Sequence, residues 1–402
     1  MTNVRIGIVG GGQLARMMQE AALPLGLTLR LLAEGPDTSA ALAVPGAAVG
    51  DFTDADAVTR FASGVDVLTF DHEHVPTALL RRLQDAGVAV RPGPDSLLHA
   101  QDKAVMRRRM AELGVPSPRW RLVGSPDELV AFADEIGWPL IAKISRGGYD
   151  GKGVWRVDSP DDAAEPFAAL AGPQGPTEAQ RGRSAADEEV VIVAEELIDF
   201  VRELSVLVAR RPGGEAVVYP VSETVQREGI CHETTTPAPG LDADRAAELA
   251  KMALRIADEL GVVGILAVEL MEARDGRIVV NELAMRPHNT GHWSIDGAVT
   301  SQFENHLRAV ADLPLGSPDA VAPVAVMSNV LGGTNPDPVG SLPVVLADPR
   351  ARVHLYGKSV KPGRKIGHVT VCGDDVADTR AAARAASALL EDTAQPQGDT
   401  HG

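Results

Sequence analysis

The sequence predicts a chain of mixed α/β and α+β class. It would have an N-terminal Rossmann-like parallel-sheet domain, a central α+β domain and a small C-terminal β-rich domain. Three observations predict this. Residues 4–91 alternate short apolar runs with helix-like segments, the pattern of parallel strands beneath covering helices. Strand-length apolar runs then recur between Val190 and Leu283, two of them flanking Asp275-Gly276, a strong short hairpin signal. A short strand-rich segment begins near Val321. The expected domains are 1–100, 101–320 (with a lid subdomain over about 118–200) and 321–390, followed by a flexible tail at 391–402.

A length of 402 residues suffices for two or three domains with ample cores. The net charge of −17 argues against nucleic acid or an anionic membrane as the main partner. An anionic ligand would have to be met by locally gathered lysines and arginines. The two cysteines, Cys231 and Cys372, imply neither a disulfide framework nor a zinc cluster. The apolar run Val4–Val9 begins at once, without a cleavable signal, and no stretch has membrane length, so a cytoplasmic location is expected.

In the N-terminal region the strands are RIGIVG, LTLRLLAE, a short run near Ala47–Asp51, DVLTFDHE and VAV, with helices from Gln13, Asp54 and Thr77. The first turn, Gly10-Gly11-Gly12-Gln13-Leu14-Ala15, fits G-x-G-x-x-G/A, and Glu34 ends the next strand where a ribose-binding acid would lie. That leaves open an NAD-dependent dehydrogenase, beside any other use of a close backbone turn or a phosphate at a helix N-terminus. Asp71-His72-Glu73-His74 follows a presumed parallel strand, where open sheets place ligands. Strand alternation would split the four onto opposite faces, which disfavours a metal and leaves Glu73 as a candidate ligand contact.

Ser96 to Gly114 reads as one helix carrying Gln101-Asp102-Lys103, with Arg107–Arg109 mostly on a solvated face. Gly114-Val115-Pro116-Ser117-Pro118 breaks it, and Ser125-Pro126-Asp127-Glu128 is a capping box that opens a helix ending at Gly137. Lys143 then lies late in an apolar strand, followed by a loop, Gly147–Gly153, with four glycines in seven residues. Backbone N–H groups of such a loop can wrap phosphate oxygens, and Lys143 can hold a point charge against them. The stretch 171–189 has linker composition and reads as a surface insertion. Glu195-Glu196 close one strand and Glu203 opens the next; these acids face solvent or accept from an adenine amino group and ribose hydroxyls.

An amphipathic helix from Asp242 to Leu260 leads into the hairpin. With Asp275-Gly276 as a two-residue type I′ turn, Glu269 and Glu282 lie directly opposite each other. Facing carboxylates among apolar residues call for a cation, and oxygen-only ligands point to Mg²⁺ or Mn²⁺. Asn281 and the polar run Arg286-Pro287-His288-Asn289 favour a site here. A helix is expected from Asp296 towards Ala311. In the last segment Lys358, Lys361, Arg364 and Lys365 place four cations in eight residues around a Pro-Gly hinge, an anion cradle. Together these residues describe an enzyme that uses ATP and Mg²⁺ on a second anionic substrate.

The stretches GGGQLARM, KISRGGYDGKG, NELAMRPHNTGHW with SQFENHLRA, and KPGRKIGHV, taken together, resemble the ATP-grasp superfamily. Within it the chain resembles the N5-carboxyaminoimidazole ribonucleotide synthase family, over about residues 4–385. The resemblance implies the ATP-grasp fold, with a dinucleotide-like N-terminal domain that binds no dinucleotide. It implies ATP-dependent carboxylation of 5-aminoimidazole ribonucleotide by bicarbonate through carboxyphosphate, in purine biosynthesis, by a homodimer. ATP contacts implied are Lys103, Lys143, Gly148, Tyr149, Asp150, Gly151, Lys152, Gly153, Val154, Glu195, Glu196, Leu197, Ile198, Glu203, Gln226, Asn281 and Glu282. Glu269 and Glu282 become the metal ligands, and Arg286, His288 and Asn289 the bicarbonate pocket. Gln13, Glu73, Tyr149, Asp150, Lys152, Lys358, Arg364 and Lys365 hold the ribonucleotide, with Asp150, Lys358 and Arg286 as the catalytic candidates. Gln226 stands where relatives often have histidine, and Lys103 where some have arginine. Another ATP-grasp ligase or carboxylase is the alternative.

Overall fold

The computed structural model describes residues 4–147, 153–172, 190–227 and 229–392. The N-terminal alternation forms a five-stranded parallel sheet of β1 (Arg5–Val9), β2 (Thr28–Ala33), β3 (Ala48–Val49), β4 (Val67–Phe70) and β5 (Ala89–Val90), in the order β3-β2-β1-β4-β5. Burial of Ile6 and Ile8 on one side of β1 and of Val9 on the other is what a sheet covered on both faces requires. Asp54 caps the helix Ala55–Ala62 by accepting from the Asp56 and Ala57 N–H groups.

The single helix expected over 96–114 is two, Pro94–Gln101 and Lys103–Glu112. Between them Asp102 is extended (φ −132°, ψ 109°), and its carboxylate accepts from the Ala104 and Val105 N–H groups. An aspartate at this position offers the backbone a cap that competes with continuing the helix. The capping-box expectation at Ser125 is half met. Ser125 accepts from the Glu128 N–H, but the Glu128 carboxylate reaches the Gly124 N–H, one residue earlier.

A four-stranded antiparallel sheet follows: β6 (Trp120–Val123), β7 (Leu140–Ile144), β8 (Val154–Val157) and β9 (Ile192–Glu196), ordered β6-β9-β7-β8. Leu129 and Phe132 of the helix Pro126–Ile136 pack on its inner face against Leu140, Ala142 and Ala194.

The central sheet contains β10 (Phe200–Arg210), β11 (Ala216–Val218), β12 (Ser222–Arg227), β13 (Ile230–Thr236), β14 (Gly264–Ala273), β15 (Ile278–Ala284), β16 (Val324–Leu331), β17 (Arg352–Leu355) and β18 (Lys365–Gly373). Its order is β15-β14-β10-β12-β13-β16-β18-β17, with β11 paired to β10. The C-terminal strands thus continue the central sheet through the β13–β16 pairing, while a core of their own (Val326, Val369, Val371, Ala383, Leu390) lies under the helix Val376–Glu391. That helix includes Glu391, whose carboxylate accepts from the Leu331 N–H at 2.7 Å. Glu391, where the tail is expected to begin, therefore belongs to this helix, and 393–402 lie outside the described residues. The helix expected over Asp296–Ala311 is also split, into Ser294–Gly297 and Gln302–Val310, because Ser301 caps the second piece through the Glu304 N–H.

The hairpin of β14 and β15 differs from expectation twice, and the two differences cancel. The turn is not two-residue type I′. The Ala273 N–H donates to the Arg277 carbonyl, which leaves a three-residue loop, Arg274-Asp275-Gly276, in which Gly276 alone takes positive φ (+85°). That turn alone would misalign Glu269 and Glu282. Leu270 does pair with Val280, one residue off the expected register, but a β-bulge then leaves Asn281 over and restores Glu269 opposite Glu282.

Candidate active site

A cavity of about 820 Å³ opens where the three sheets meet, lined from the N-terminal turn through the β14–β15 hairpin to the C-terminal basic loop. At one end lie the residues expected for a nucleotide. Lys103 reaches in from the start of its helix, its Nζ donating to Glu282 Oε1 at 3.1 Å. Lys143 on β7 donates to Glu195 Oε2 at 2.8 Å and Asn281 Oδ1 at 3.2 Å. Glu195 is buried, which opposes its ionisation, yet the charges of Lys143 and Arg107 hold it down at about 2. Glu196, Leu197, Ile198, Gln226 and Val154 also line the cavity. Glu195 and Glu196 are both buried rather than solvent-facing, and Glu196 is bound by Arg119 and Arg277 at 2.7 and 3.1 Å. Gly153 accepts from the Ile144 N–H. Gly148, Tyr149, Asp150, Gly151 and Lys152 lie outside the described residues.

In the middle stands the carboxylate pair. Glu269 is paired to His288 Nε2 at 3.1 Å and accepts from Gln226 Nε2 at 3.3 Å. Burial pushes its pKa up, but His288 and Gln226 bring it below the ordinary value. Glu203, opposite Met271 on β10, goes the other way, pushed up to about 7 by burial and the charge of Glu269. Arg286 Nε donates to Glu73 Oε2 at 2.7 Å, and His288 Nδ1 lies 2.9 Å from Thr290 Oγ1. Half-buried Asn289 lines the cavity, and its buried Nδ2 has no hydrogen-bond partner among the described residues.

At the far end the Lys358 ammonium donates to Gln13 Oε1, and Arg364 donates to Ser359 Oγ at 2.8 Å. Burial and the nearby Arg364 lower Lys358 to about 8. Lys365 lines the same wall; exposed Lys361 does not.

Some of what shapes the site was not read from the sequence. Asp71, His72 and His74 line the cavity together with the expected Glu73, because β4 ends at Phe70 and strand alternation no longer applies. Asp71 accepts from the Gly12 N–H and Glu34 from the Gly11 N–H, so those two donors are already engaged by the chain's own carboxylates. Gly10 (φ +107°) admits no side chain, since a Cβ there would lie 2.0 Å from Asp71 Oδ1. The glycine fingerprint thus builds a close turn against Asp71, and the dehydrogenase reading falls. Arg107, expected on a solvated face, is fully buried and bonded to Glu195 at 2.6 Å. The available signal was its spacing, four residues after Lys103 and so on the same helix face.

Comparison with known proteins agrees with this arrangement. The chain matches the ATP-grasp domain over residues 108–303 and the ribonucleotide synthetase preATP-grasp domain over 2–101. It matches the phosphoribosylaminoimidazole carboxylase C-terminal domain over 325–382. It is 51% identical to N5-carboxyaminoimidazole ribonucleotide synthase of Mycobacterium bovis over 377 residues, 92% of this chain and 84% of that one. The crystal structure of the synthetase from Thermus thermophilus superposes with a TM-score of 0.82 at 34% identity, covering 97% of this chain and 99% of that one. The synthase of Aspergillus clavatus in complex with ADP and 5-aminoimidazole ribonucleotide superposes at 0.84 with 30% identity, covering 97% and 99%. The chain belongs to the N5-carboxyaminoimidazole ribonucleotide synthase family of ATP-grasp ligases.

Proposed function

We propose that this chain carboxylates the exocyclic amine of 5-aminoimidazole ribonucleotide with bicarbonate, converting ATP to ADP and phosphate, as a step of purine biosynthesis. The observation that carries the reading is a single cavity with cations at both ends and two facing carboxylates between them. ATP lies at the Lys103–Lys143 end, its base along Glu196–Ile198 and its ribose near Glu203. Gln13, Glu73, Lys358, Arg364 and Lys365 take the ribonucleotide, together with Tyr149, Asp150 and Lys152 of the glycine loop.

The donor set fits Mg²⁺, or Mn²⁺ with the same ligands. Glu269 and Glu282 offer carboxylate oxygens from neighbouring strands, directly opposite each other and both on the cavity wall. Among the described residues no group of three or more His, Cys, Asp or Glu side chains is placed to hold a metal ion. Two carboxylates are nevertheless a set Mg²⁺ can use, since it commonly binds through one or two of them together with substrate phosphates. When bound, it neutralises charge on the transferring phosphate.

The protein's own groups orient the reaction. Lys103 and Lys143 approach the phosphates from two sides. Arg286, His288 and the unpartnered Asn289 Nδ2 present donors to bicarbonate, whose oxygen accepts the γ-phosphoryl group as the bond to ADP breaks. Carboxyphosphate then delivers its carboxyl group, directly or as CO₂, to the amine nitrogen of the ribonucleotide: the C–O bond to phosphate breaks, the C–N bond forms, and the amine gives up a proton. Asp150 and Lys358 are the candidates for moving that proton. The family resemblance also implies a homodimer. ADP release measured with each substrate omitted tests the reaction: it should require both bicarbonate and 5-aminoimidazole ribonucleotide, and release with either absent would point to another ATP-grasp ligase.

A further inference from the structure

Arg107 is fully buried, does not line the cavity, and has no part in the chemistry above. Its guanidinium nevertheless bonds to two of the strands that shape the nucleotide end, β9 and β15. Nε donates to Glu195 Oε1 at 2.6 Å, Nη1 to the Val280 carbonyl at 2.9 Å, and Nη2 to the Asn281 carbonyl at 2.9 Å. Those two carbonyls belong to the bulge that restores Glu282 to its place opposite Glu269. β15 is an edge strand and is bulged here, so buried carbonyls turned away from β14 need donors from elsewhere. The planar fork of an arginine supplies two at fixed spacing; a lysine ammonium cannot reproduce it. The third contact works through Glu195, whose other oxygen takes Lys143, and Lys143 in turn meets the Asn281 side chain.

We propose that Arg107 is a positioning residue for the magnesium–nucleotide complex: by holding the bulge at Asn281 it sets which β15 side chains face Glu269, and through Glu195 it fixes Lys143. The proposal rests on the reading that Glu269 and Glu282 hold the divalent ion. It concerns binding, so it is tested on the full-length protein without turnover.

The experiment is calorimetric titration of ADP into wild type and Arg107→Lys across a series of Mg²⁺ concentrations, with 5-aminoimidazole ribonucleotide titrated separately and melting temperatures recorded. Arg107→Lys should weaken ADP binding in saturating Mg²⁺ by about 10–100-fold, the range of outer-shell changes at metal sites. It should raise the Mg²⁺ needed for half-maximal binding and leave ribonucleotide affinity unchanged. Unchanged ADP affinity, or equal weakening of both ligands alongside a lowered melting temperature, would overturn the proposal. If Arg107→Lys does not fold, Arg107→Met in a Glu195→Gln background, compared with Glu195→Gln alone, isolates the contacts to the two carbonyls and should show the same weakening. Glu282→Gln in the same titrations separates the two readings. If it leaves the Mg²⁺ dependence intact, the metal assignment fails, whatever Arg107 does.

Discussion

The two ends of the cavity carry similar cations in opposite electrostatic states. At the nucleotide end each cation is bonded to a carboxylate: Lys103 to Glu282, and Lys143 and Arg107 both to Glu195. At the far end Lys358 and Arg364 are held by neutral oxygens, of Gln13 and Ser359. Their effects on pKa run accordingly. The nucleotide end holds Glu195 down at about 2, whereas burial and Arg364 push Lys358 down to about 8. The difference teaches how one pocket serves two anions. On the proposed placement, a nucleotide carrying a divalent cation would meet a wall whose cations already hold carboxylates, while a ribonucleotide phosphate would meet cations held by neutral oxygens.

The hardest blow to that contrast comes at the carboxylate pair. Glu282→Gln keeps the shape and removes one charge, so Mg²⁺-dependent ADP release should fall by about 10³-fold, the order of losing one preorganised electrostatic contact. Near-normal rates at millimolar Mg²⁺ would break the assignment. Next comes stability. Glu195→Gln leaves Lys143 and buried Arg107 facing a neutral amide, and should cost about 3–5 kcal/mol in denaturant unfolding. Because the Glu195 carboxyl is held at about 2 against an ordinary 4.5, its contribution is present above pH 4.5 and is lost as pH falls towards 2.

At the other end Arg364→Ala should raise the KM for 5-aminoimidazole ribonucleotide by about tenfold, one charge-assisted contact, and leave that for ATP near wild type. The reverse pattern would exchange the two ends. The mildest effect is a pH profile. Lys358 loses its proton through about 8, so kcat/KM for the ribonucleotide should decline above that pH, while Lys358→Arg should remain flat there. The same lowering has a stability sign. Between about 8 and 10.5 the unfolded chain binds the extra proton, so the native state gains stability as pH rises through that window.

Much of this was legible in the residues, for reasons that differ between the ends. The parallel sheet, the strand pairs and the hairpin follow from local periodicity and turn chemistry, which act over a few residues. The basic loop stood out because four cations cluster in sequence. Arg107 was misread and Asp71 was not singled out because burial is set by neighbours far along the chain: Arg107 and Glu195 are separated by 88 residues, Gly12 and Asp71 by 59. Helix breaks at Asp102 and Ser301 were also missed, since a capping side chain and a passenger look alike until the backbone chooses.

The facing of Glu269 and Glu282 marks the boundary between the two kinds of knowledge. Residue types and their order along the chain were enough to indicate a carboxylate pair, phosphate-holding lysines and a family of ligases. Only the folded chain decided how the pair is brought together. Hairpin register is a sum of local choices, a three-residue turn and a bulge at Asn281, and the bulge is held by a guanidinium that only tertiary packing could deliver.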